Sequence, residues 1–305
     1  MSAHVFIYQS LASFKTLIRF VCAHNNILNQ LIQFWMKLFD VSNKVVLITG
    51  GSGVLGGRMA EHLLKNGATV IILDHREEMV SKVVGDFSSI SKNVDGVVCD
   101  VLDEASLQKA SDSILKKHGT IDVLINAAGG NKPGATIGEH QTIFDLKPED
   151  FKSVVDLNLL GSVLPSMVFG KTMADKKKGV IINISSMTAQ RAISRVVGYS
   201  ASKAAIDNFT KWLSVELAMK FGEGLRVNAI APGFFIGNQN RALLTNEDGS
   251  YTERGNTIIS NTPMKRFGEA EEINGTIHYL CSDASKFVTG VVIPIDGGFN
   301  AYSGV

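Results

Sequence analysis

The chain has 305 residues, of which 45% are hydrophobic and 19% charged, with a formal net charge of +1. This composition supports a large buried core and excludes a disordered chain. The near-neutral charge, without a basic block, gives no indication of nucleic-acid binding. Three cysteines, Cys22, Cys99 and Cys281, are far apart and form no metal-ligand pattern. We therefore expect a cytoplasmic protein with reduced thiols and no metal site.

The first 35 residues differ in composition from the rest of the chain. They contain no glycine, proline or acidic residue, and Lys15 and Arg19 are their only formal charges. They include no apolar run long enough to span a bilayer and match a secretory signal poorly. We predict that residues 1–35 are an N-terminal extension outside the fold, that residues 36–305 form a single domain, and that the protein has no membrane partner.

From residue 44 onward, short apolar runs alternate with helical segments. Strands are predicted at 44–49, 69–74, 96–100, 121–129 (running into a turn), 179–185, 225–230 and 291–296. Among the helices between them, one ends near Gly67, a longer one covers roughly 149–174, and another covers 199–221. Strands and helices in this alternation form βαβ units. The pattern predicts an α/β fold with a parallel sheet and helices on both faces.

A glycine-rich segment, TGGSGVLG (49–56), follows the first predicted strand and opens a helix. Such glycines let backbone N–H groups approach a pyrophosphate, although a tight strand-to-helix turn needs them too. Asp74 follows Gly56 by 18 residues, at the end of the second strand. A carboxylate there can accept a hydrogen bond from a ribose 2′-hydroxyl and repels a 2′-phosphate, which favours NAD over NADP. Arg76, just behind it, could partly accommodate a phosphate.

The segment YSASK places Tyr199 and Lys203 four residues apart in a predicted helix. Residues at this spacing share one helix face. An ammonium group there would favour the ionised phenol and lower the pKa of Tyr199 from about 10, so that it can exchange protons near neutral pH. Taken alone, the spacing favours a packed tyrosine beside a solvated lysine, because the two residues meet at this spacing by chance in many helices.

Together, the ordered motifs resemble the short-chain dehydrogenase/reductase family over residues 41–305. The motifs are TGGSGVLG, the acid at 74, CDV (99–101), NAAG (126–129), Asn158, INISS (182–186), YSASK and PG (232–233). The resemblance implies a Rossmann-type, doubly wound sheet of seven strands, a nicotinamide cofactor and a homo-oligomer, a dimer or tetramer.

The resemblance also implies a catalytic set of Asn158, Ser186, Tyr199 and Lys203. Tyr199 would be the general acid/base, Lys203 would lower its pKa and hold the nicotinamide ribose, Ser186 would bind the substrate oxygen, and Asn158 would hold a water. Ser185 competes with Ser186, because neighbouring side chains at a strand end point to opposite sides. The family's usual spacing of thirteen residues from serine to tyrosine selects Ser186. Asn158 could instead bind only backbone within its helix.

The cofactor residues implied by the resemblance lie in the glycine-rich turn and at the ends of later strands. They are Gly50, Ser52, Gly53, Leu55, Gly56, Asp74, Asp100, Val101, Asn126, Ala127, Ala128, Gly129, Tyr199, Lys203, Pro232 and Gly233. Three positions depart from the family pattern: Val54 replaces a small residue, Ala127 replaces an asparagine, and Gly237 replaces a threonine.

Two long polar loops, one after NAAG and one after Pro232, have the length of functional lids or binding loops. Their polar residues, together with two arginines shortly before Tyr199, suit a hydroxylated anion whose carboxylate an arginine can grip. The candidates are Asn131, Lys132, Arg191, Arg195, Gln239, Asn240 and Arg241. Any one of them could instead be a surface charge or a subunit contact.

Longer segments resemble the D-mannonate oxidoreductase, or fructuronate reductase, branch of the family. These are AAGGN (127–131), SSMTAQR, PGFFIGNQNRALL, TPMKRFG and DGGFNAYSGV. The branch implies hydride transfer between NAD(H) and D-fructuronate or D-mannonate. Other interpretations of the sequence are a gluconate, deoxygluconate or polyol dehydrogenase, a 3-oxoacyl carrier-protein reductase, and a dinucleotide-binding sensor without turnover. The intact catalytic set disfavours the sensor.

Overall fold

A computed structural model describes residues 37–237 and 241–304. The predicted extension at 1–35 lies outside these residues. Seven strands form one parallel sheet in the order β3-β2-β1-β4-β5-β6-β7. The strands are β1 (Val45–Thr49), β2 (Thr69–Asp74), β3 (Val94–Val98), β4 (Val123–Asn126), β5 (Gly179–Ile184), β6 (Leu225–Pro232) and β7 (Val292–Ile295). The predicted doubly wound, seven-stranded sheet is confirmed.

Helices connect the strands and cover both faces of the sheet. They are α1 (Val54–Lys65), α2 (Glu77–Phe87), α3 (Glu104–His118), α4 (Pro148–Val155), α5 (Gly161–Asp175), α6 (Val197–Phe221), α7 (Arg241–Leu244), α8 (Glu253–Ser260) and α9 (Asn274–Cys281). A π-helical segment, Asp156–Leu160, joins α4 to α5. The helices predicted at 149–174 and 199–221 are therefore confirmed, the first with an added π-helical turn.

Side chains of the central strands alternate between two cores because successive residues of a strand point to opposite faces. In β1, Val46 and Ile48 join the core beneath α1 and α9. Val45 and Leu47 join the core beneath α3, α5 and α6. Burial on both faces explains why these strands are continuous apolar runs in the sequence.

The third strand is displaced from the position that the sequence predicted. The apolar run predicted a strand at 96–100, whereas β3 covers Val94–Val98. Its register against β2 pairs Val70 with Val94 and Asp74 with Val98. Pairing with the neighbouring strand, rather than hydrophobicity, sets the limits of this edge strand.

The continuous helical segment Pro148–Asp175 is long and apolar enough, by length and composition, to cross a membrane. Within the fold, Phe169 and Met173 of its second half are fully buried in the core against the sheet. The apolar character of this segment is thus accounted for by packing, as in the core helices of many α/β proteins.

The functional loops meet at one edge of the sheet because all strands are parallel. β1 pairs with both β2 and β4, so the connections run in opposite directions from this point and leave a crevice beyond the carboxyl ends of the strands. Hydrogen bonds between buried polar side chains link β4, β5 and α6 at these carboxyl ends. Asn126 donates to Asn183 at 2.9 Å, and Asn183 donates to Thr210 of α6 at 2.9 Å.

Arg226 of β6 is buried and fastens the end of α9 to the sheet. Its guanidinium donates to the carbonyls of Leu280 and Ser282, at 3.0 and 3.2 Å, and to the Ser285 hydroxyl at 2.8 Å. The last carbonyls of a helix lack intrahelical donors and carry partial negative charge. The buried Arg226 guanidinium supplies the missing donors to these carbonyls and needs no carboxylate partner to do so.

Replacing Arg226 by methionine is expected to lower the free energy of unfolding by about 2–4 kcal/mol, because buried carbonyls lose their donor. Urea denaturation at fixed protein concentration would show this as a lower midpoint. As a control, Lys286→Gln removes only a surface pair with Asp283 at 3.3 Å and should cost at most about 1 kcal/mol. Equal midpoints for the two variants would contradict this role.

Candidate active site

The glycine-rich turn packs directly against the loop after β4. Gly50 has a φ of 62°, and a Cβ atom there would lie 2.8 Å from the Ala128 Cα. A Cβ on Gly56 would lie 2.6 Å from the Gly50 carbonyl oxygen. The Thr49 hydroxyl accepts hydrogen bonds from the amides of Ala127 and Ala128, both at 3.1 Å. Only glycine fits at positions 50 and 56, so the sequence motif reflects this close contact.

The start of α1 is suited to an anionic group. Its N-cap residue, Gly53, provides no side-chain cap, and its first turn contains no acidic residue. The first N–H groups of a helix need an acceptor and carry partial positive charge. Ser52 and Leu55 lie in the same turn, Leu55 packed against the core. These residues fit the pyrophosphate of a dinucleotide cofactor.

Asp74 is buried at the end of β2 and is held by an arginine. Arg76 donates to its two oxygens from Nε at 3.0 Å and Nη2 at 3.1 Å, and the Ser52 hydroxyl also donates to it. Burial alone would raise the pKa of Asp74, but the hydrogen bonds from Arg76 and Ser52 outweigh burial and lower it. The carboxylate is therefore ionised at neutral pH and neutralised in part by Arg76.

The remaining predicted cofactor residues lie along the same edge. Asp100 is exposed after β3 and accepts from the Leu102 amide at 2.9 Å, while Val101 is buried. Gly233 follows Pro232, the last residue of β6, and a Cβ on Gly233 would lie 2.7 Å from the Asp296 Cα. The structure thus brings these positions to the carboxyl ends of the strands, as the sequence predicted.

Asn158 lies in the π-helical segment and is fully buried. Its amide donates to the carbonyls of Gly130 and Val154, at 2.7 and 2.8 Å, and its oxygen accepts from the Gly130 amide at 3.0 Å. A Cβ on Gly129 would lie 2.7 Å from this oxygen and 3.5 Å from Lys203 Nζ. The side chain thus binds one carbonyl of its own helix and both backbone groups of Gly130, and it holds the loop after β4 beside Lys203.

The two serines after β5 point to different partners, as expected for neighbours in an extended segment. The Ser185 hydroxyl donates to the carboxylate of Asp207. The Ser186 hydroxyl accepts from the Thr188 amide at 3.2 Å and lies close enough to the phenol of Tyr199 to lower its pKa. The geometry places Ser186, and not Ser185, beside the phenol.

Tyr199 lies in the first turn of α6, and Lys203 follows one turn later on the same face. Lys203 Nζ is 5.5 Å from the centre of the Tyr199 ring and donates to the Ile184 carbonyl at 2.7 Å. The lysine is buried, so that this ammonium group lies inside the protein next to the phenol. Ser186, Tyr199 and Lys203 thus form one cluster.

The spacing predicted a lowered pKa for Tyr199, whereas the structure gives a raised one. Burial raises the pKa of Tyr199, and the nearby Ser186 hydroxyl offsets this only in part. Burial also lowers the pKa of Lys203 to about 8, so the lysine loses its positive charge at a lower pH than an exposed lysine does. Spacing along the helix predicted the contact between the two residues but could not predict how strongly both are desolvated.

Asp207 completes the cluster and was not identified from the sequence. It lies one turn beyond Lys203 on α6, and its negative charge raises the pKa of the lysine against the effect of burial. Gln190 donates to its second oxygen at 3.4 Å. The spacing from Lys203 to Asp207, again four residues, was the available signal in the sequence.

The candidate substrate residues are less clustered. Asn131 donates to Thr136 at 2.7 Å, and its side-chain oxygen is buried without a hydrogen-bond partner in the described part of the chain. Arg191 donates to the carbonyls of Asn300 and Tyr302, so it holds the C-terminal segment rather than pointing freely into the crevice. Arg241 is exposed at the start of α7. Gln239 and Asn240 lie outside the described residues.

Within residues 37–237 and 241–304, no group of three or more His, Cys, Asp or Glu side chains is placed to hold a metal ion. Lys132, another polar loop residue, pairs with Asp150 at 3.0 Å.

The fold and the cluster at its crevice define a dinucleotide-dependent oxidoreductase that acts on CH–OH groups. Residues 52–300 match a family described as enoyl-(acyl carrier protein) reductase. The chain belongs to the short-chain dehydrogenase/reductase family, whose members use NAD(P).

Two curated relatives and one solved structure show the degree of similarity. The chain is 45% identical over 275 residues to an uncharacterized oxidoreductase named UxuB from Bacillus subtilis, covering 87% of this chain and 98% of that one. It is 43% identical over 277 residues to an uncharacterized oxidoreductase from Haemophilus influenzae, covering 87% and 96%. A crystal structure from Haemophilus influenza with bound NAD, provisionally named a D-mannonate oxidoreductase, has 42% identity and a TM-score of 0.81, covering 87% and 98%.

Replacing Ser186 by alanine is expected to lower kcat/KM for ketone reduction by about 10²–10³-fold, because one donor to the developing oxyanion is lost. Ser185→Ala is the matched control, since its hydroxyl faces Asp207, and should keep most of the activity. Steady-state kinetics on both variants test the assignment. A larger loss in Ser185→Ala than in Ser186→Ala would reverse it.

Asp207→Asn is expected to shift the alkaline limb of the kcat/KM pH profile to lower pH. The wild-type limb should lie near pH 8, where Lys203 loses its proton. Removing the carboxylate charge destabilises the ammonium and lowers the pKa of Lys203 further. Glu216→Gln removes one carboxylate near the other end of α6 and should leave the limb in place. An unshifted limb in Asp207→Asn would show that the carboxylate does not influence the lysine.

Proposed function

We propose that this protein is an NAD(H)-dependent oxidoreductase that interconverts a sugar-acid ketone and its alcohol, with D-fructuronate and D-mannonate as the leading pair. The observation that carries the proposal is the cluster of Ser186, Tyr199 and Lys203 at the crevice of a dinucleotide-binding fold. The choice of substrate is supported by the polar loops, by the long segments that resemble the mannonate branch and by the similarity to the NAD-bound structure.

In the reducing direction, NADH supplies the hydride that adds to the carbonyl carbon. Tyr199 donates its proton to the carbonyl oxygen, so that the alcohol forms without a charged product. The Ser186 hydroxyl, which lies near the phenol, donates to the same oxygen as negative charge develops. Lys203 stabilises the phenolate left behind, and a raised pKa keeps Tyr199 protonated and ready as an acid.

The choice of NAD rests on Asp74. An ionised carboxylate at this position accepts from ribose hydroxyls and repels a 2′-phosphate. Arg76 weakens this repulsion, because its guanidinium donates to both carboxylate oxygens. We therefore propose NAD as the preferred cofactor, with measurable but poorer use of NADP.

Homo-oligomerisation forms part of the proposal. Trp212, Val215 and Met219 are exposed on α6, by 60%, 57% and 81%, at spacings that place them on one helix face. Met167 of α5 is also 60% exposed. Apolar surface on the two long helices suits contact with a second copy of the chain, in a dimer or tetramer. We place this enzyme in the cytoplasm, in keeping with the unpaired, buried thiols of Cys99 and Cys281.

Other activities are alternatives to this proposal. A gluconate or deoxygluconate dehydrogenase, or a 3-oxoacyl carrier-protein reductase, would use the same cluster and differ in loop contacts. A dinucleotide sensor would not need a serine hydroxyl, a phenol and a buried lysine in mutual contact. That cluster is the observation that favours an enzyme.

Oxidation of NADH by D-fructuronate, followed by absorbance, is the experiment that tests the proposal. Turnover is expected with NADH, slower turnover with NADPH, and none in Tyr199→Phe, which should still bind NADH. Failure with D-fructuronate but turnover with another sugar acid in a substrate panel would correct the substrate. Wild-type NADH binding without turnover of any ketone would support the sensor instead.

A further inference from the structure

Two arginines, Arg195 and Arg254, lie close enough for their charges to interact, and they take part in neither the catalytic cluster nor the predicted cofactor site. Arg195 lies in the loop between β5 and α6, four residues before Tyr199. Arg254, in the first turn of α8, donates to the hydroxyl and carbonyl of Ser194 at 3.3 and 3.5 Å. The guanidinium of Arg254 therefore lies against the residue that precedes Arg195.

The main chain holds Arg195 firmly. Its Nε donates to the Ile137 carbonyl at 2.7 Å, and the Ile137 amide donates back to the Arg195 carbonyl at 2.9 Å. Arg195 has a φ of 77°, a left-handed conformation that costs free energy for a residue with a side chain. The surrounding loops thus fix an arginine in an unfavourable backbone conformation beside the entrance to α6.

Neither guanidinium has an acidic partner in the described part of the chain. The arginine ion pairs found there, with N···O distances of at most 4.0 Å, involve Arg58, Arg76 and Arg266. Both Arg195 and Arg254 are partly buried. Burial lowers the pKa of Arg254, and the nearby charge of Arg195 lowers it further. Two like charges in this arrangement repel each other, and an anion bound between them would relieve the repulsion.

The position of the pair matches the substrate side of the crevice. Ile137 belongs to the loop after β4, Arg195 to the loop after β5, and Arg254 to the helix α8 in the segment after β6. All three loops leave the carboxyl ends of parallel strands, where ligands bind in such sheets. Arg195 and Tyr199 are four residues apart, so their Cα atoms are separated by at most about 15 Å. A six-carbon acid together with an arginine side chain can bridge this distance.

We propose that Arg195 and Arg254 form the binding site for the carboxylate of the substrate. The proposal rests on the function proposed above and extends it. The planar guanidinium forks match the geometry of a carboxylate. With the carboxylate held there, the ketone of the acid is directed to Tyr199 and Ser186. A neutral ketose of the same length lacks the group that the pair binds.

The test compares Arg254→Gln with wild type in the reduction of D-fructuronate. KM is expected to rise about 10- to 100-fold with little change in kcat, because the lost contacts bind the substrate away from the reacting carbon. Arg254→Lys should recover part of the loss, since it restores charge without the fork. NADH affinity, measured by fluorescence, should be unchanged in both variants, which also shows that they are folded.

Lys220→Gln serves as the matched control. It removes one positive charge at the far end of α6, about 30 Å along the helix from Tyr199, and should keep the wild-type KM. An unchanged KM in Arg254→Gln would overturn the carboxylate site while leaving the proposed function intact. A higher KM accompanied by equal losses of kcat and NADH affinity would also overturn the carboxylate site, because it would indicate a purely structural role.

Calorimetric titration with tartrate, a small hydroxylated dicarboxylate, separates the carboxylate site from the choice of substrate. Tartrate binding to the wild-type NADH complex that weakens 10- to 100-fold in Arg254→Gln supports the site even if D-fructuronate is not turned over. Binding that is equally strong in both proteins, or absent from the wild type, would overturn it.

Discussion

The hydrogen bond from buried Lys203 to the carbonyl of Ile184 is the constraint on which the active site depends. It joins α6, which carries Tyr199, to the end of β5, which Ser186 follows by two residues. Burying an ammonium without a carboxylate in direct contact is costly, and a pKa lowered to about 8 expresses that cost. The fold offsets part of it with the charge of Asp207, one turn further along the helix.

Charges along the crevice are balanced to different degrees, and the differences follow the proposed chemistry. At the cofactor end, Asp74 is held by Arg76, which fixes the carboxylate and softens its selectivity. At the catalytic centre, the charge of Lys203 is supported by Asp207. At the substrate end, Arg195 and Arg254 have no acidic partner among the described residues. Positive charge is thus least compensated where an anionic substrate would bind.

Much of the fold was predictable from the sequence, because strands buried on both faces are continuous apolar runs and the glycines at 50 and 56 are required by close backbone contact. The contact of Tyr199 with Lys203 follows from helix periodicity. The direction of the Tyr199 pKa shift does not, because it depends on burial by distant parts of the chain. Arg254 was missed for a similar reason: it lies 55 residues after Tyr199 in sequence, and only the folded loops bring it to Ser194.

Tyr199 is a half-buried acid whose pKa burial raises, and a positive charge added nearby is expected to lower that pKa. The most direct measurement is the pKa of Tyr199 from the NMR signal of its labelled ring carbon next to the hydroxyl, with and without NAD⁺. The account predicts a pKa above the ordinary value of about 10 without cofactor, and a clearly lower one with the cationic nicotinamide bound. A pKa already well below 10 in the free protein, or one that NAD⁺ does not change, would contradict it.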